Sequence, residues 1–237
     1  MILKKKLIIG FGVIITIACF CGVAYISIRL FINQFERSNY EIRTNIWNET
    51  AAGIPEDCIV FIGDSHTEYF FLNEYFPELP VINRGIFGDT TYGVLKRLDK
   101  SALNLNPSKV FILIGVNDIN DTKDQNDVIA ENIMRITQEF KKNKPEATIY
   151  LQSLYPINTT SKRSDPFSIK NLSNKRISEI NMLLESMCRN EGVVYIDLFS
   201  KLIDENGQLQ ENLTIEGLHL NPAGYRFVSD VLLKYLR

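Results

Sequence analysis

The sequence predicts a three-layer α/β/α domain with a central five-stranded parallel sheet, preceded by one N-terminal transmembrane helix. Three observations support this prediction. Between residues 58 and 197, short apolar runs rich in β-branched residues alternate with longer segments of helical period. Those short runs are apolar almost throughout, which indicates that helices cover both faces of the sheet. Ahead of them, no residue from Leu7 to Ile28 carries a charge.

The uncharged run is long enough to cross a membrane. At about 1.5 Å per residue, Leu7–Ile28 spans a hydrocarbon core of about 30 Å. Lys4, Lys5 and Lys6 precede the run and only Arg29 follows closely, so the excess of positive charge favours a cytoplasmic N-terminus. We therefore predict three regions: a cytoplasmic tip and signal anchor at 1–32, a juxtamembrane stalk at 33–57 and an extracytoplasmic domain at 58–237.

A cleaved signal peptide is the main alternative to an anchor. Its apolar stretch is expected to be shorter and to end in a small-x-small site, and none follows the run convincingly. Thr16-Ile17-Ala18-Cys19 resembles a bacterial lipoprotein cleavage box, with Thr where Leu is usual, but the apolar stretch continues beyond Cys19. The apolar length favours the uncleaved anchor.

Within the domain, five apolar runs are predicted as strands: Cys58–Ile62, Val81–Asn83, Lys109–Ile114, Thr148–Ser153 and Val193–Asp197. Segments of helical period predict helices at Thr91–Leu103, Asp127–Lys142, Ile169–Asn190 and Pro222–Leu236. Asn221 is the expected N-cap of the last helix. The polar, aperiodic stretch Ile157–Ser168 is predicted to be a loop that flanks the active site.

Charge and cysteine content exclude several classes of function. Beyond Phe35 the chain has 28 acidic and 22 basic residues, a balance of −6, so it lacks the basic surface of a nucleic-acid-binding protein. Cys19 and Cys21 lie in the predicted anchor. Cys58 and Cys188 are expected to be buried thiols, with a disulfide as the alternative. No cysteine or histidine cluster suggests a metal, and no cofactor is expected.

Two residues far apart in sequence are candidates for nucleophilic catalysis. Ser65 follows the first strand in Gly63-Asp64-Ser65, where a strand-to-helix turn would expose its hydroxyl, although a helix cap has the same pattern. His219 is preferred to His66 as the base, because the side chains of adjacent residues diverge. Glu216 lies three positions before His219, a spacing that lets the carboxylate orient the imidazole.

Further polar groups follow other predicted strands. Gly88 allows a close backbone approach and Asn117 offers a side-chain amide, both suitable for stabilising an oxyanion. Alone, these residues fit equally a loop glycine and an Asn-Asp turn. Together with Ser65 and Tyr155, however, they all lie just beyond strand ends, which in an open parallel sheet is where ligands bind.

Four short sequence blocks resemble, in order and spacing, those of the SGNH, or GDSL, hydrolases. They are Gly63-Asp64-Ser65, Asn83-x-Gly85-x-x-Gly88-Asp89-Thr90, Gly115-x-Asn117-Asp118 and Glu216-x-x-His219. The resemblance covers about residues 58–237. It implies a flavodoxin-like fold and no metal, with Ser65 as nucleophile and His219 as general base. It also implies an oxyanion hole formed by the Ser65 and Gly88 amides and the Asn117 side chain.

The same resemblance extends to a branch of the family. Two segments look like those of the branch that contains platelet-activating-factor acetylhydrolase-like enzymes and carbohydrate acetylesterases: Asn83 through Leu98 and Gly217 through Tyr225. Members of that branch usually remove short acyl groups, often acetate. The family usually has Asp where this chain has Glu216. The other candidate acids are Asp197, Asp204 and Asp230, and a backbone carbonyl is a further way to orient the ring.

The expected function is therefore a membrane-anchored, extracytoplasmic serine esterase for short-chain esters of glycans or lipids. An O-acyltransferase that uses the same acyl-enzyme is one alternative. A non-catalytic, anchored carbohydrate-binding module is the other. The sequence indicates no particular oligomeric state.

Overall fold

The computed structural model describes the backbone of residues 2–237 and the side chains of residues 19–32, 34 and 38–237. The chain forms two compact units, Met1–Ile46 and Trp47–Arg237. Its first helix, α1, runs from Ile2 to Thr50, and a short 3-10 helix follows at Ala51–Gly53. The predicted stalk at 33–57 is thus helical up to Thr50, and from Trp47 onward its residues belong to the second unit.

The apolar side chains of α1 between residues 20 and 32 are largely exposed, including Phe20, Val23, Ile26, Leu30 and Phe31. Among the residues that the structure describes, no helix combines the length and apolarity needed to cross a membrane. The first part of the predicted anchor, residues 7–18, lies outside the residues whose side chains are described. The anchor therefore stays a prediction.

The second unit is built on a parallel sheet with strand order β2-β1-β3-β4-β5. Its strands are β1 (Cys58–Gly63), β2 (Val81–Gly85), β3 (Pro107–Leu113), β4 (Thr148–Gln152) and β5 (Val194–Ile196). All four neighbouring pairs are parallel. The predicted five-stranded parallel sheet is confirmed, and its order is that of flavodoxin-like folds.

The remaining α-helices are α2 (Ser65–Glu68), α3 (Leu72–Tyr75), α4 (Thr91–Leu98), α5 (Val116–Asp121), α6 (Asn126–Asn143), α7 (Asn174–Glu191), α8 (Phe199–Leu202) and α9 (Pro222–Leu236). With right-handed crossovers, the order of the strands puts α4, α6 and α7 on one face of the sheet, and α6 packs between the other two. The opposite face is covered by α9, where Tyr235 contacts Tyr150 of β4 at 5.6 Å between ring centroids.

Two predicted helix boundaries differ from the structure by five residues each. The helix predicted from Ile169 begins only at Asn174, because the Ser173 hydroxyl accepts a hydrogen bond from the Arg176 N–H at 3.2 Å and caps α7. The helix predicted over Thr91–Leu103 ends as α4 at Leu98 and continues as a π-helix over Asp99–Leu103. Pro222–Leu236 is confirmed, with the Asn221 side chain accepting from Gly224 N at 3.0 Å.

The core of the sheet is tightly packed around aromatic rings. Phe61, Phe111 and Tyr150 occupy matching positions on β1, β3 and β4 and stack at centroid distances of 4.6 and 4.5 Å. Cys58 in β1 and Cys188 in α7 are free and buried, as predicted. Burial raises the pKa of Cys188 to about 12, so this thiol is inert.

Candidate active site

Ser65 lies where β1 passes into α2, in a segment that we call the nucleophile turn (residues 63–68). Gly63 is paired with Leu113 of β3, and a Cβ atom at residue 63 would lie 2.0 Å from the Leu113 carbonyl oxygen. Asp64 caps α2, because its Oδ1 accepts from the His66 N–H at 2.9 Å. The turn therefore fixes Ser65 as the first residue of α2, immediately beyond the sheet edge.

His219 comes to Ser65 across 154 positions of sequence, with 2.9 Å between Ser65 Oγ and His219 Nε2. On the other side of the ring, Glu216 Oε1 contacts Nδ1 and also accepts from the His219 backbone N–H at 3.1 Å. The longer side chain of Glu216 thus reaches the histidine that it was predicted to orient. Of the other candidate acids, Asp197 and Asp204 accept hydrogen bonds within their own loops, and Asp230 is exposed on α9.

The contact with Glu216 assigns the tautomer of His219. A carboxylate at Nδ1 places the ring hydrogen on that nitrogen, which leaves Nε2 free to accept the Ser65 hydroxyl proton. Burial acts to raise the pKa of Glu216, but hydrogen bonds from the His219 ring and backbone, together with electrostatic attraction to that ring, outweigh burial. The pKa of Glu216 consequently lies below its usual value, and the group is ionised at neutral pH.

The segment that carries these two residues, which we call the histidine loop (residues 214–220), is held by hydrogen bonds and by the burial of Leu218 and Leu220. Thr214 Oγ1 donates to the His219 carbonyl at 2.8 Å. Gly217 has φ +92°, and a Cβ atom there would lie 2.4 Å from the Asn158 carbonyl oxygen. Asn158 N donates to Gly217 O at 2.7 Å, and Asp165 N donates to Glu216 O at 3.0 Å. The polar segment predicted to flank the site therefore supports the histidine loop directly.

Gly88 and Asn117 are brought together at the same edge. Gly88 lies between β2 and α4 with φ +72°, inside a turn closed by a hydrogen bond from Asp89 N to Ile86 O at 3.1 Å. Asn117 is in the first turn of α5, and its Nδ2 donates to Asp89 O at 2.9 Å. Glu68 of the nucleophile turn contacts the Phe87 N–H. The Gly88 turn is thus fixed from both sides.

A buried ion pair beneath the Gly88 turn was not predicted. Arg97 Nε binds Asp89 Oδ2 at 2.7 Å, and Arg97 Nη2 donates to Gly63 O at 3.1 Å, which joins the Gly88 turn to the end of β1. Burial raises the pKa of Asp89 to about 6 against the opposing effect of Arg97. The guanidinium groups of Arg84 and Arg97 lie over the Trp47 ring, 5.0 and 5.5 Å from its centroid.

Asp118 supports the site from the next strand end. Its carboxylate accepts from Thr91 N at 3.0 Å and contacts the Thr91 hydroxyl, which ties α5 to the start of α4. Burial raises the pKa of Asp118 to about 6, and the hydrogen bonds from Thr91 oppose the shift. The pairing of residues 27 positions apart has no local sequence signal, so the prediction gave Asp118 no role.

His66 and Tyr155 lie behind the Ser65–His219 pair. His66 Nδ1 is 3.2 Å from Asp64 Oδ1, and Nε2 is 3.2 Å from the Leu218 carbonyl oxygen. Tyr155, which follows β4, packs edge-on against the His66 ring and donates its hydroxyl to Gln152. Tyr155 is therefore a buried supporting residue.

Two aromatic side chains flank the exposed side of His219. The ring centroids of Tyr69 and Phe87 lie 5.3 and 6.2 Å from that of His219. Their residues are 37% and 53% exposed, in contrast to the buried core rings. They are available for contact with a bound molecule.

Known proteins share this architecture. The GDSL-like lipase/acylhydrolase family matches residues 61–227. Platelet-activating factor acetylhydrolase IB subunit alpha2 of Rattus norvegicus is 28% identical over 176 residues, which cover 72% of this chain and 72% of the relative. A Streptococcus pneumonia protein whose structure is described as that of a platelet activating factor is 30% identical, with a TM-score of 0.80 over 87% of this chain and 97% of the other. A GDSL-like lipase from Bacteroides thetaiotaomicron is 22% identical, with a TM-score of 0.71 over 81% and 96% of the two chains, and it supports the fold.

Proposed function

Because this chain belongs to the GDSL-like lipase/acylhydrolase family and is a carboxylic ester hydrolase, we propose that it removes short acyl groups through Ser65, His219 and Glu216. The observation that carries this proposal is the 2.9 Å contact between Ser65 Oγ and His219 Nε2, with Glu216 at the opposite ring nitrogen. This arrangement matches the requirement of an activated serine nucleophile.

In the first step, His219 Nε2 takes the Ser65 proton while Oγ attacks the ester carbonyl carbon, and the carbonyl π electrons move to oxygen. Glu216 stabilises the resulting imidazolium. When the tetrahedral intermediate collapses, the C–O bond to the alcohol breaks and His219 protonates the departing alkoxide. Water then attacks the acyl carbon while His219 takes a proton from it, and when the bond from the acyl carbon to Ser65 Oγ breaks, His219 returns the proton to Oγ and the acid leaves.

The oxyanion is stabilised by the backbone amides of Ser65 and Gly88 and by the side chain of Asn117. Ser65 is at the N-terminus of α2. One Asn117 amide hydrogen is donated to Asp89 O, and the other is assigned to the oxyanion. Loss of a single donor of this kind reduces turnover by about 10²- to 10³-fold.

Acetate is the proposed acyl group. Tyr69 and Phe87 lie together beside the His219 ring, with 6.2 Å between their own ring centroids, and form a partly exposed aromatic surface next to the Ser65–His219 pair. The curated relatives with 28% identity are named acetylhydrolases, which supports the same acyl length. Since the chain is an ester hydrolase, a purely non-catalytic binding module is set aside, and a sugar hydroxyl that outcompetes water would instead indicate an O-acyltransferase.

The test uses the full chain, with a fluorophosphonate probe and a series of nitrophenyl esters from acetate to octanoate. We expect labelling of the wild type but not of Ser65→Ala, and a steep fall in kcat/KM beyond acetate. Ser38→Ala, which alters an exposed serine of α1, is the matched control. Full activity of Ser65→Ala would contradict the nucleophile, and equal rates for all esters would contradict acetyl selectivity. Acetylated xylo-oligosaccharides and acetylated phospholipids then distinguish glycan from lipid substrates.

We further propose that residues 1–32 anchor the enzyme in a membrane, with its N-terminus in the cytoplasm and its catalytic domain outside. The uncharged run Leu7–Ile28, the preceding lysines and the exposed apolar side chains of α1 support this topology. In cells, the chain is expected to resist alkaline carbonate extraction and to lose its catalytic domain to external protease. Release by carbonate, or an N-terminus that begins after the apolar run, would contradict the anchor.

A further inference from the structure

His66 faces a hydrogen-bond acceptor at each ring nitrogen. Asp64 Oδ1 lies 3.2 Å from Nδ1, and the carbonyl oxygen of Leu218 lies 3.2 Å from Nε2. A neutral imidazole has one N–H donor and one lone pair, whereas an imidazolium has two donors. Neither a carboxylate nor a carbonyl can donate, so only the imidazolium satisfies both contacts.

We propose that His66 is a buried imidazolium that positions the histidine loop against the nucleophile turn. One of its N–H groups binds Asp64, which caps α2 directly before Ser65, and the other binds the carbonyl of Leu218, directly before His219. The cation thereby couples the placement of the nucleophile to that of the base. This inference rests on the proposed roles of Ser65 and His219, and His66 itself is a positioning residue that does not touch substrate.

The surroundings of His66 compensate a buried charge. Its side chain is 3% exposed and that of Asp64 is 1% exposed, so the carboxylate neutralises the cation with little competition from water. Glu216 of the histidine loop adds a weaker attraction. The His219 ring lies 5.4 Å away between centroids. Asp64 and Glu216 therefore supply the negative charge around both rings.

The other titratable groups around His66 are tyrosines. Tyr155, which follows β4, packs edge-on against the ring, and Tyr225 of α9 donates its hydroxyl to the His66 carbonyl at 2.9 Å. Burial raises the pKa of both tyrosines, so both are neutral around pH 7. Burial acts to lower the pKa of His66, but hydrogen bonds and attraction from Asp64, the Leu218 carbonyl and Glu216 outweigh it and raise the pKa above its usual value.

The raised pKa fixes the direction of the pH dependence. The contribution of His66 to stability is fully present below the ordinary histidine pKa of about 6.5 and is lost as the pH rises through the folded-state value. Loss of the proton leaves one acceptor, Asp64 or the Leu218 carbonyl, without its donor. The link between nucleophile turn and histidine loop is then broken, and activity declines on the alkaline side.

Histidine NMR tests the protonation state directly, because the chain has only two histidines. In the full chain labelled with ¹⁵N-histidine, His219→Ala leaves His66 as the single ring signal. We expect both ring nitrogens to carry hydrogen at pH 7, with deprotonation only above the usual histidine range. A neutral ring with one protonated nitrogen at pH 7 would overturn the proposal. This measurement needs no turnover, so its result is separate from that of the Ser65→Ala test.

Two variants test the positioning role. His66→Gln keeps an amide donor but cannot be protonated, and we expect kcat to fall by about 10- to 100-fold with little change in KM. Its alkaline decline in kcat/KM should disappear. Asp64→Asn keeps the acceptor that caps α2 but removes the charge, and it should move the decline to lower pH. Wild-type pH profiles in both folded variants would overturn the proposal.

Discussion

The nucleophile turn and the histidine loop supply the two partners of the Ser65–His219 hydrogen bond, but they are stabilised by different parts of the chain. Gly63 of the turn ends a strand that is buried along its whole length, and Asp64 caps the helix that follows. The histidine loop instead depends on backbone hydrogen bonds from Asn158 and Asp165, more than 50 positions earlier in the sequence.

This difference separates folding from catalysis. A change in the nucleophile turn is transmitted to the sheet, because Gly63 pairs with both β2 and β3. Changes in the histidine loop act on a segment that lies outside the sheet and forms no hydrogen-bonded pair with its strands among the described residues. We therefore expect a change at Gly63 to reduce stability most, and a change in the histidine loop to reduce turnover first.

The largest effect is expected for Gly63→Ala. The added Cβ atom would lie 2.0 Å from the backbone oxygen of Leu113, which cannot move without breaking the sheet. We expect a loss of about 3 kcal/mol or more in the free energy of unfolding, measured by denaturant titration. Gly53→Ala is the matched control, because a Cβ atom at Gly53 meets nothing within 4 Å. Equal stability of the two variants would contradict the close approach at the turn.

The next largest effect concerns Glu216. Glu216→Gln removes the charge that holds the tautomer of His219, and we expect kcat to fall by about 10³- to 10⁴-fold with a small change in melting temperature. Glu216→Asp keeps the negative charge, so its kcat should fall less, by about 10-fold. Asp197→Asn is the control for the alternative acid. Wild-type kcat in Glu216→Gln, or a greater loss in Asp197→Asn, would move the acid role away from Glu216.

Gly217→Ala tests the loop against the turn with the same type of substitution. The residue has φ +92°, and the new Cβ atom would lie 2.4 Å from the Asn158 carbonyl oxygen, so the histidine loop must shift. We expect kcat to fall by about 10²-fold, as for a displacement of about 1 Å, with a much smaller loss of stability than in Gly63→Ala. Denaturant titration and esterase rates measure both quantities. If Gly217→Ala loses as much stability as Gly63→Ala, the expected difference between the histidine loop and the nucleophile turn is wrong.

The smallest effect is a pH dependence of stability. Because the pKa of Glu216 is lowered in the folded chain, its contribution is present above the ordinary glutamate pKa of about 4.3 and is lost as the pH falls through the folded value. We expect the difference in melting temperature between wild type and Glu216→Gln to shrink below about pH 4. A difference that is constant from pH 7 to pH 3 would show that the carboxylate charge does not stabilise the loop.

The sheet and the location of the site were predictable from the sequence, for a physical reason. Parallel strands buried on both faces are apolar throughout, and their carboxyl ends meet at one edge, so Ser65, Gly88 and Asn117 were expected together. The long helices α6 and α9 were predicted within one residue at each end because their apolar faces repeat with the helical period. The four-residue helices α2, α3 and α8 are too short to show that period.

The supporting residues were not predictable in the same way. His66 was considered only as a base and set aside because it adjoins Ser65; its contact with Leu218 depends on a loop 152 positions away. The sequence around Asp89 and Arg97 likewise contains no pattern that distinguishes this buried ion pair from an exposed one. Such contacts are set by the folded path of the chain.

The stacking of two guanidinium groups on Trp47 gives the enzyme an internal optical reporter. Trp47 is the only tryptophan in the chain, so all indole fluorescence comes from this position. Arg97 contacts both Trp47 and Asp89, and Asp89 directly follows Gly88. A substrate analogue that moves the Gly88 turn should therefore alter the emission, which allows binding to be timed in a stopped-flow instrument without any added dye.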